Sequence, residues 1–163
     1  MPVSYITFDV ETTINTSFKR KANPFDPRNW VVYVGHKLNT GQSQVERFLH
    51  PDANKGWLAR LLQHNPKMLV GFNIKFDILH AIARDPENLD AYMEWIANGG
   101  ILWDCQLAEY LLRGMLPEQQ ILSLDEVAPR YGGELKEDEV KAMWEAGIDT
   151  PDIPEDLLTR YLH

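Results

Sequence analysis

The stretch Tyr5 to Thr13, YITFDVETT, is an apolar run that ends in two carboxylates at strand spacing. Side chains two apart on a strand point the same way, so Asp9 and Glu11 share a face while Val10 turns to the opposite, buried side. This strand is read as ending near Asp9, and Thr12 to Asn29 follow as a long polar connection. Trp30 to Leu38, WVVYVGHKL, predicts a second strand. Asn39-Thr40-Gly41 supplies a turn, and a third strand at about Gln44 to Leu49 completes a hairpin beside the first. Trp57 to Gln63 is helical, and Met68-Leu69-Val70 is a short buried strand bounded by Pro66 and Gly71. Directly after it a helix opens and runs to about Arg84, with Asn73 as its natural N-cap. Ser123-Leu124-Asp125-Glu126 matches a capping box, and Gly132-Gly133 stops that helix. Asp138 to Ala146 forms another, ending at Gly147, with Glu137, Asp138 and Glu139 complementing the dipole of its first turn. Pro151 and Pro154 lead into a last helix that starts with Glu155 and Asp156. No repeat or low-complexity segment interrupts this order.

Composition narrows the class. The 163 residues are one domain's worth of chain, 44% hydrophobic and 10% aromatic, as a globular fold requires. No apolar run approaches a membrane span, and the N-terminus lacks the succession of a signal peptide. The single Cys105 excludes an internal disulfide, and a reducing cytosol fits best. His36, His50, His64, His80 and His163 are scattered, so no zinc spacing is present. The net charge of −8 argues against a generic nucleic-acid binder. An acidic chain can still act on a phosphodiester if its acids gather around metal ions and a partner supplies most of the affinity.

Two ionised carboxylates about 4 Å apart repel by roughly 4 kcal/mol at the effective dielectric of a protein surface, a cost that a divalent cation reverses. The plain alternative for Asp9 and Glu11 is a strand end with two solvated acids. Asp77 lies one turn into the helix after the fourth strand, near the positive end of its dipole, at the sheet edge where open α/β folds place their sites. Asn73 and Asp77 alone would be an ordinary cap and first-turn acid. Together with Asp9 and Glu11 they give three carboxylates converging from distant sequence. Lys19, Arg20 and Lys21 read either as a phosphate-contacting patch or as a solvated loop face.

These residues resemble those of the DEDD 3′→5′ exonucleases, proofreading nucleases of the ribonuclease H-like fold. Asp9-Val10-Glu11-Thr12 is similar to the first motif of that family, and Asn73 through Asp77 to the second. Trp103 to Leu112 resembles the strand-then-helix segment that follows. The stretches from Ser123 to Gly133 and from Lys136 to Pro154 are most similar to the exonuclease domains of phage and bacterial family A DNA polymerases. The resemblance covers nearly the whole chain. It implies an α/β fold with a mixed five-stranded sheet, strands one to three antiparallel and four and five parallel to the first, with helices on both sides.

The third motif departs from the pattern. In the tyrosine branch a Tyr is followed four residues later by the fourth carboxylate; Tyr161 fits the first half, and the acid would fall beyond His163. His163 could instead lead the histidine-branch version, and Tyr161 could simply pack the last helix. The expectation is a single exonuclease domain cut just before this motif is complete, with weak metal binding and poor cleavage.

The resemblance implies two-metal hydrolysis of the terminal phosphodiester of single-stranded DNA, for a DNA polymerase domain or subunit, by a monomer. Asp9 would bridge two Mg²⁺ or Mn²⁺ ions, Glu11 would bind the first and Asp77 the second. Tyr161 would orient the attacking water, and Thr12 and Asn73 would shape the site or hold the terminal nucleotide. Ile14 and Phe72 are candidate contacts for its base, with core packing the alternative. Asp104 is assigned a supporting hydrogen-bond or capping role, and Trp103, Leu107, Leu111 and Leu112 are assigned to the core. An exoribonuclease and a non-catalytic nucleic-acid-binding module are the competing readings.

Overall fold

The computed structural model describes residues 3–14, 22–115, 120–133 and 138–162. Lys19, Arg20, Lys21, Lys136, Glu137 and His163 lie outside the described residues. The sheet has the order β3-β2-β1-β4-β5. Strand β1 (Tyr5–Thr12) occupies its centre, antiparallel to β2 (Val31–Leu38), which in turn pairs antiparallel with β3 (Gln44–Arg47). On the other side β4 (Met68–Gly71) and β5 (Ile101–Asp104) run parallel to β1. Order and directions are those expected of a ribonuclease H-like fold. Strand β1 does not stop at Asp9; it continues to Thr12, with an irregularity between Glu11 and Thr12.

Burial along β1 alternates strictly, as a strand covered more heavily on one face demands. Ile6, Phe8, Val10 and Leu69 face α1 (Trp57–Leu62), α2 (Ile74–Ile82) and α3 (Pro86–Ala97), and form the main core with Trp57, Leu58, Ile74, Ile78 and Trp95. Phe8 meets Trp57 edge to face, with centroids 5.8 Å apart. The remaining helices are α4 (Cys105–Leu112), α5 (Leu124–Val127), α6 (Asp138–Glu145) and α7 (Glu155–Leu162). A smaller core joins Tyr33 of β2 to Val140 of α6 and to Ile153, Leu157 and Leu158 at and within α7. Helices therefore cover both sides of the sheet. No described helix is long and apolar enough to cross a membrane.

Helix α3 adds to the elements expected from the sequence. Asp85 caps it, accepting from the N–H groups of Glu87 and Asn88, and Pro86 stands in its first turn. Its buried Asn88 accepts from Ala59 N–H at 3.0 Å and donates to Ala81 O at 3.0 Å, tying the three helices of this layer together. Trp95 closes the layer by donating to Pro66 O at 2.6 Å. A Cβ at Gly100 would stand 2.3 Å from the Trp95 ring, so the chain passes there only as glycine.

One assignment is corrected. Trp103, Leu107, Leu111 and Leu112 are not core; they are 48%, 51%, 57% and 77% exposed. Strand β5 is the sheet edge, and α4 buries its opposite side.

Candidate functional site

Asp9 and Glu11 occupy alternate positions of β1, so they lie on the face away from Phe8 and Val10. Their cross-strand partners in β2 are Gly35 and Tyr33. Tyr33 is fully buried, and burial pushes its phenol above the usual range, so it stays neutral beside Glu11. Gly35 leaves a groove into which α7 descends: a Cβ there would stand 3.1 Å from Leu162 Cβ. The last turn of α7, which carries Tyr161, thus reaches the carboxylate face next to Asp9. Tyr161 packs edge to face on Trp144, with centroids 5.6 Å apart.

Asp77 enters from the other layer. It sits in the first turn of α2 and is only 2% exposed, with Ile74 and Ile78 of the same helix in the main core. Its helix follows β4, the parallel neighbour of β1, so both chains leave the sheet at the same edge. Asn73 holds the N-cap position, but its side chain makes no cap hydrogen bond. It adopts the left-handed conformation (φ 60°, ψ 42°), which Asn tolerates better than most residues. Its N–H donates to Asp104 Oδ1 at 3.1 Å. The same oxygen accepts from Gln106 and Leu107 N–H at 2.9 and 3.3 Å, so Asp104 caps α4 and fastens the β4–α2 junction to the end of β5.

Beside Asp9 lies a cavity of about 410 Å³, with Lys37, Val70, Phe72, Cys105 and Leu162 in its walls. Its size is that of a small-molecule site. Phe72 lines it; Ile14 does not. Burial and the neighbouring Asp104 push the Cys105 thiol up, which keeps it protonated and a poor nucleophile.

A clamp on the chain just beyond the acids has no local signal in the sequence. Ile14 N–H donates to Asp149 Oδ1 at 2.9 Å, and the fully buried Thr150 donates from its hydroxyl to Thr12 O at 2.7 Å. Trp144 Nε1–H donates to the same hydroxyl at 3.1 Å. Thr12 is itself only 5% exposed, so the clamp fixes the exit of β1 rather than a free hydroxyl. Thr150→Val keeps the shape and removes both bonds, costing a buried carbonyl and a half-buried indole N–H a partner each. A loss of about 1–3 kcal/mol is expected, read as a lower urea midpoint at unchanged slope.

Two carboxylates on one strand face are hard oxygen donors that suit Mg²⁺ or Mn²⁺. Among the described residues no group of three or more His, Cys, Asp or Glu side chains is placed to hold a metal ion. The donor chemistry fits such an ion, whereas the described residues alone do not form a cage of protein ligands.

No protein-family model matches the chain. No curated protein matches it either. Among solved structures it is similar to the family B DNA polymerase of the hyperthermophilic archaeon Pyrobaculum calidifontis, with a TM-score of 0.52 and 20% identity over 83% of this chain. The chain spans only 19% of that polymerase's length. The likeness is one of fold.

Proposed function

We propose that this chain is a metal-dependent 3′→5′ exonuclease acting on DNA 3′ ends, in the service of a DNA polymerase. The observation that carries the reading is the pairing of Asp9 and Glu11 on one face at the end of the central strand, at the edge where the Asp77 helix begins. Asp9 and Glu11 would hold Mg²⁺ or Mn²⁺, with Asp77 serving a second ion through water. Mg²⁺ is commonly bound by one or two carboxylates, with waters and substrate phosphate completing the shell, so a three-ligand protein cage is not a requirement. When bound, such ions activate a water and neutralise the leaving oxygen.

The chain's own residues do the positioning. Asp104 holds the Asn73 turn, Asp149 and Thr150 hold the exit of β1, Tyr161 orients the attacking water from α7, and Phe72 offers an apolar wall to the terminal base. With a net charge of −8 the chain grips DNA weakly by itself, so a polymerase partner supplies the affinity. It works as a cytoplasmic monomer on single-stranded ends.

The test is a 5′-labelled single-stranded DNA incubated with Mn²⁺ or Mg²⁺. A ladder shortening from the 3′ end, abolished by EDTA, is expected; no metal-dependent shortening overturns the proposal. An RNA of the same sequence separates the exoribonuclease reading. The lack of a three-carboxylate cluster among the described residues favours a second reading, a non-catalytic nucleic-acid-binding module, whose mark is DNA retention without cleavage at any metal concentration.

A further inference from the structure

Two residues before Asp9, the acid face of the sheet carries a row of a different kind. Thr7 pairs with Lys37, and Ser43 stands one step past the His36–Gln44 pair, beside Lys37. Cross-strand partners share a face, as do residues two apart on a strand, so this row lies on the same side as Asp9. Thr7 is exposed, and Lys37 and Ser43 are half-buried. All three line the cavity of about 410 Å³ beside Asp9, and Lys37 is the one Lys or Arg among the described residues of its wall. Among the described residues no hydrogen bond or ion pair engages the ammonium or either hydroxyl. In a chain of charge −8, an ammonium without a carboxylate partner is set for an anion from outside the chain.

We infer that Thr7, Lys37 and Ser43 form an oxyanion subsite for the 3′-phosphate of a terminal nucleotide, so that the chain accepts DNA ends carrying a 3′-phosphate. The inference rests on the exonuclease reading, which puts the scissile phosphate at Asp9. Two hydroxyls flanking an ammonium offer donors to several oxygens of one tetrahedral group. Along the strand the row lies about 7 Å from Asp9, a separation comparable with that of successive phosphates in a nucleic-acid chain. The cavity has the size of a small-ligand site, with Phe72 and Leu124 as apolar walls for a nucleoside between the two points. The row also lies on the side of Asp9 away from Glu11, which the cavity does not include. In the reaction, the oxygen of a water bonds to the scissile phosphorus and the bond to the 3′ oxygen of the preceding nucleotide breaks. That oxygen takes a proton from the water, and the unit released is a nucleoside 3′,5′-bisphosphate.

The probes are thymidine 3′,5′-bisphosphate and thymidine 5′-monophosphate, each titrated calorimetrically into the full chain with Mg²⁺. The bisphosphate is expected to bind at least about tenfold more tightly, through the second phosphate on Lys37. Lys37→Met keeps the stem, removes the charge and should bring the two nucleotides to equal affinity. Ser43→Ala, a smaller change just before β3, should narrow the gap by about threefold. Circular dichroism checks that each variant is folded. Equal affinity in the wild type, a preference that survives Lys37→Met, or no binding of either nucleotide would each overturn the subsite. Cleavage assays keep this outcome apart from that of the nuclease reading. Shortening of 3′-hydroxyl DNA without a bisphosphate preference removes the subsite alone, whereas a Lys37-dependent preference without shortening keeps the anion site and removes the nuclease.

Discussion

Asp9→Asn is expected to reduce metal-dependent release of nucleotides from a DNA 3′ end by roughly 10³-fold, the scale on which losing one transition-state contact acts. The substitution is nearly isosteric, and Asp9 sits partly exposed on a strand whose other face carries the core, so the fold should survive. Stability should stay level or rise slightly, since Asp9 and Glu11 no longer repel. This combination distinguishes a chemical role from a structural one: a thermal midpoint at or above that of the wild type, with cleavage gone. Single-turnover degradation of a 5′-labelled oligonucleotide gives the rate, and a melt followed by far-UV dichroism gives the control. Activity of Asp9→Asn within about tenfold of the wild type would remove the carboxylate from the mechanism.

How much of this was legible in the sequence depends on how far each feature reaches along the chain. The alternation through Asp9, Val10 and Glu11 is local, and so is the Ser123–Glu126 capping box, where Ser123 N–H donates to Glu126 Oε2 at 2.8 Å. Both follow from nearest neighbours and both form as expected. Helix α3 is equally local, with Asp85 before Pro86 as its start signal. The orientation of α4 was not legible. Periodicity tells which residues share a helix face but not which face is packed, and here Arg130 and Tyr131 draw Glu109 inward while the leucines stay out. The bonds from Thr150 to Thr12 and from Ile14 to Asp149 join residues 138 and 135 positions apart, and no local pattern encodes such a contact. Asn73 illustrates a third case, in which the residue at the N-cap is right and the reason differs: its backbone tolerance serves the turn, not its side-chain oxygen.

Trp57→Ala should have the largest effect on stability, because the core that supports the central strand lies on the opposite side of the sheet from the acids. Trp57 is 2% exposed and braces Phe8, the residue next to Asp9 on β1, with its ring edge to face. Truncation removes a large buried side chain and opens a cavity under the central strand, at a cost of about 3–5 kcal/mol. That is a large fraction of the 5–15 kcal/mol that holds a typical domain folded. Because Phe8 and Asp9 point to opposite faces of one strand, loosening the first lets the second shift, so cleavage should fall even where the variant remains mostly folded. Trp57→Phe keeps an aromatic against Phe8 and should recover much of the loss. Urea unfolding followed by far-UV dichroism, which the missing indole does not distort, measures both variants. A midpoint for Trp57→Ala equal to that of the wild type would mean that the main core does not bear on β1 as the packing of Phe8 requires.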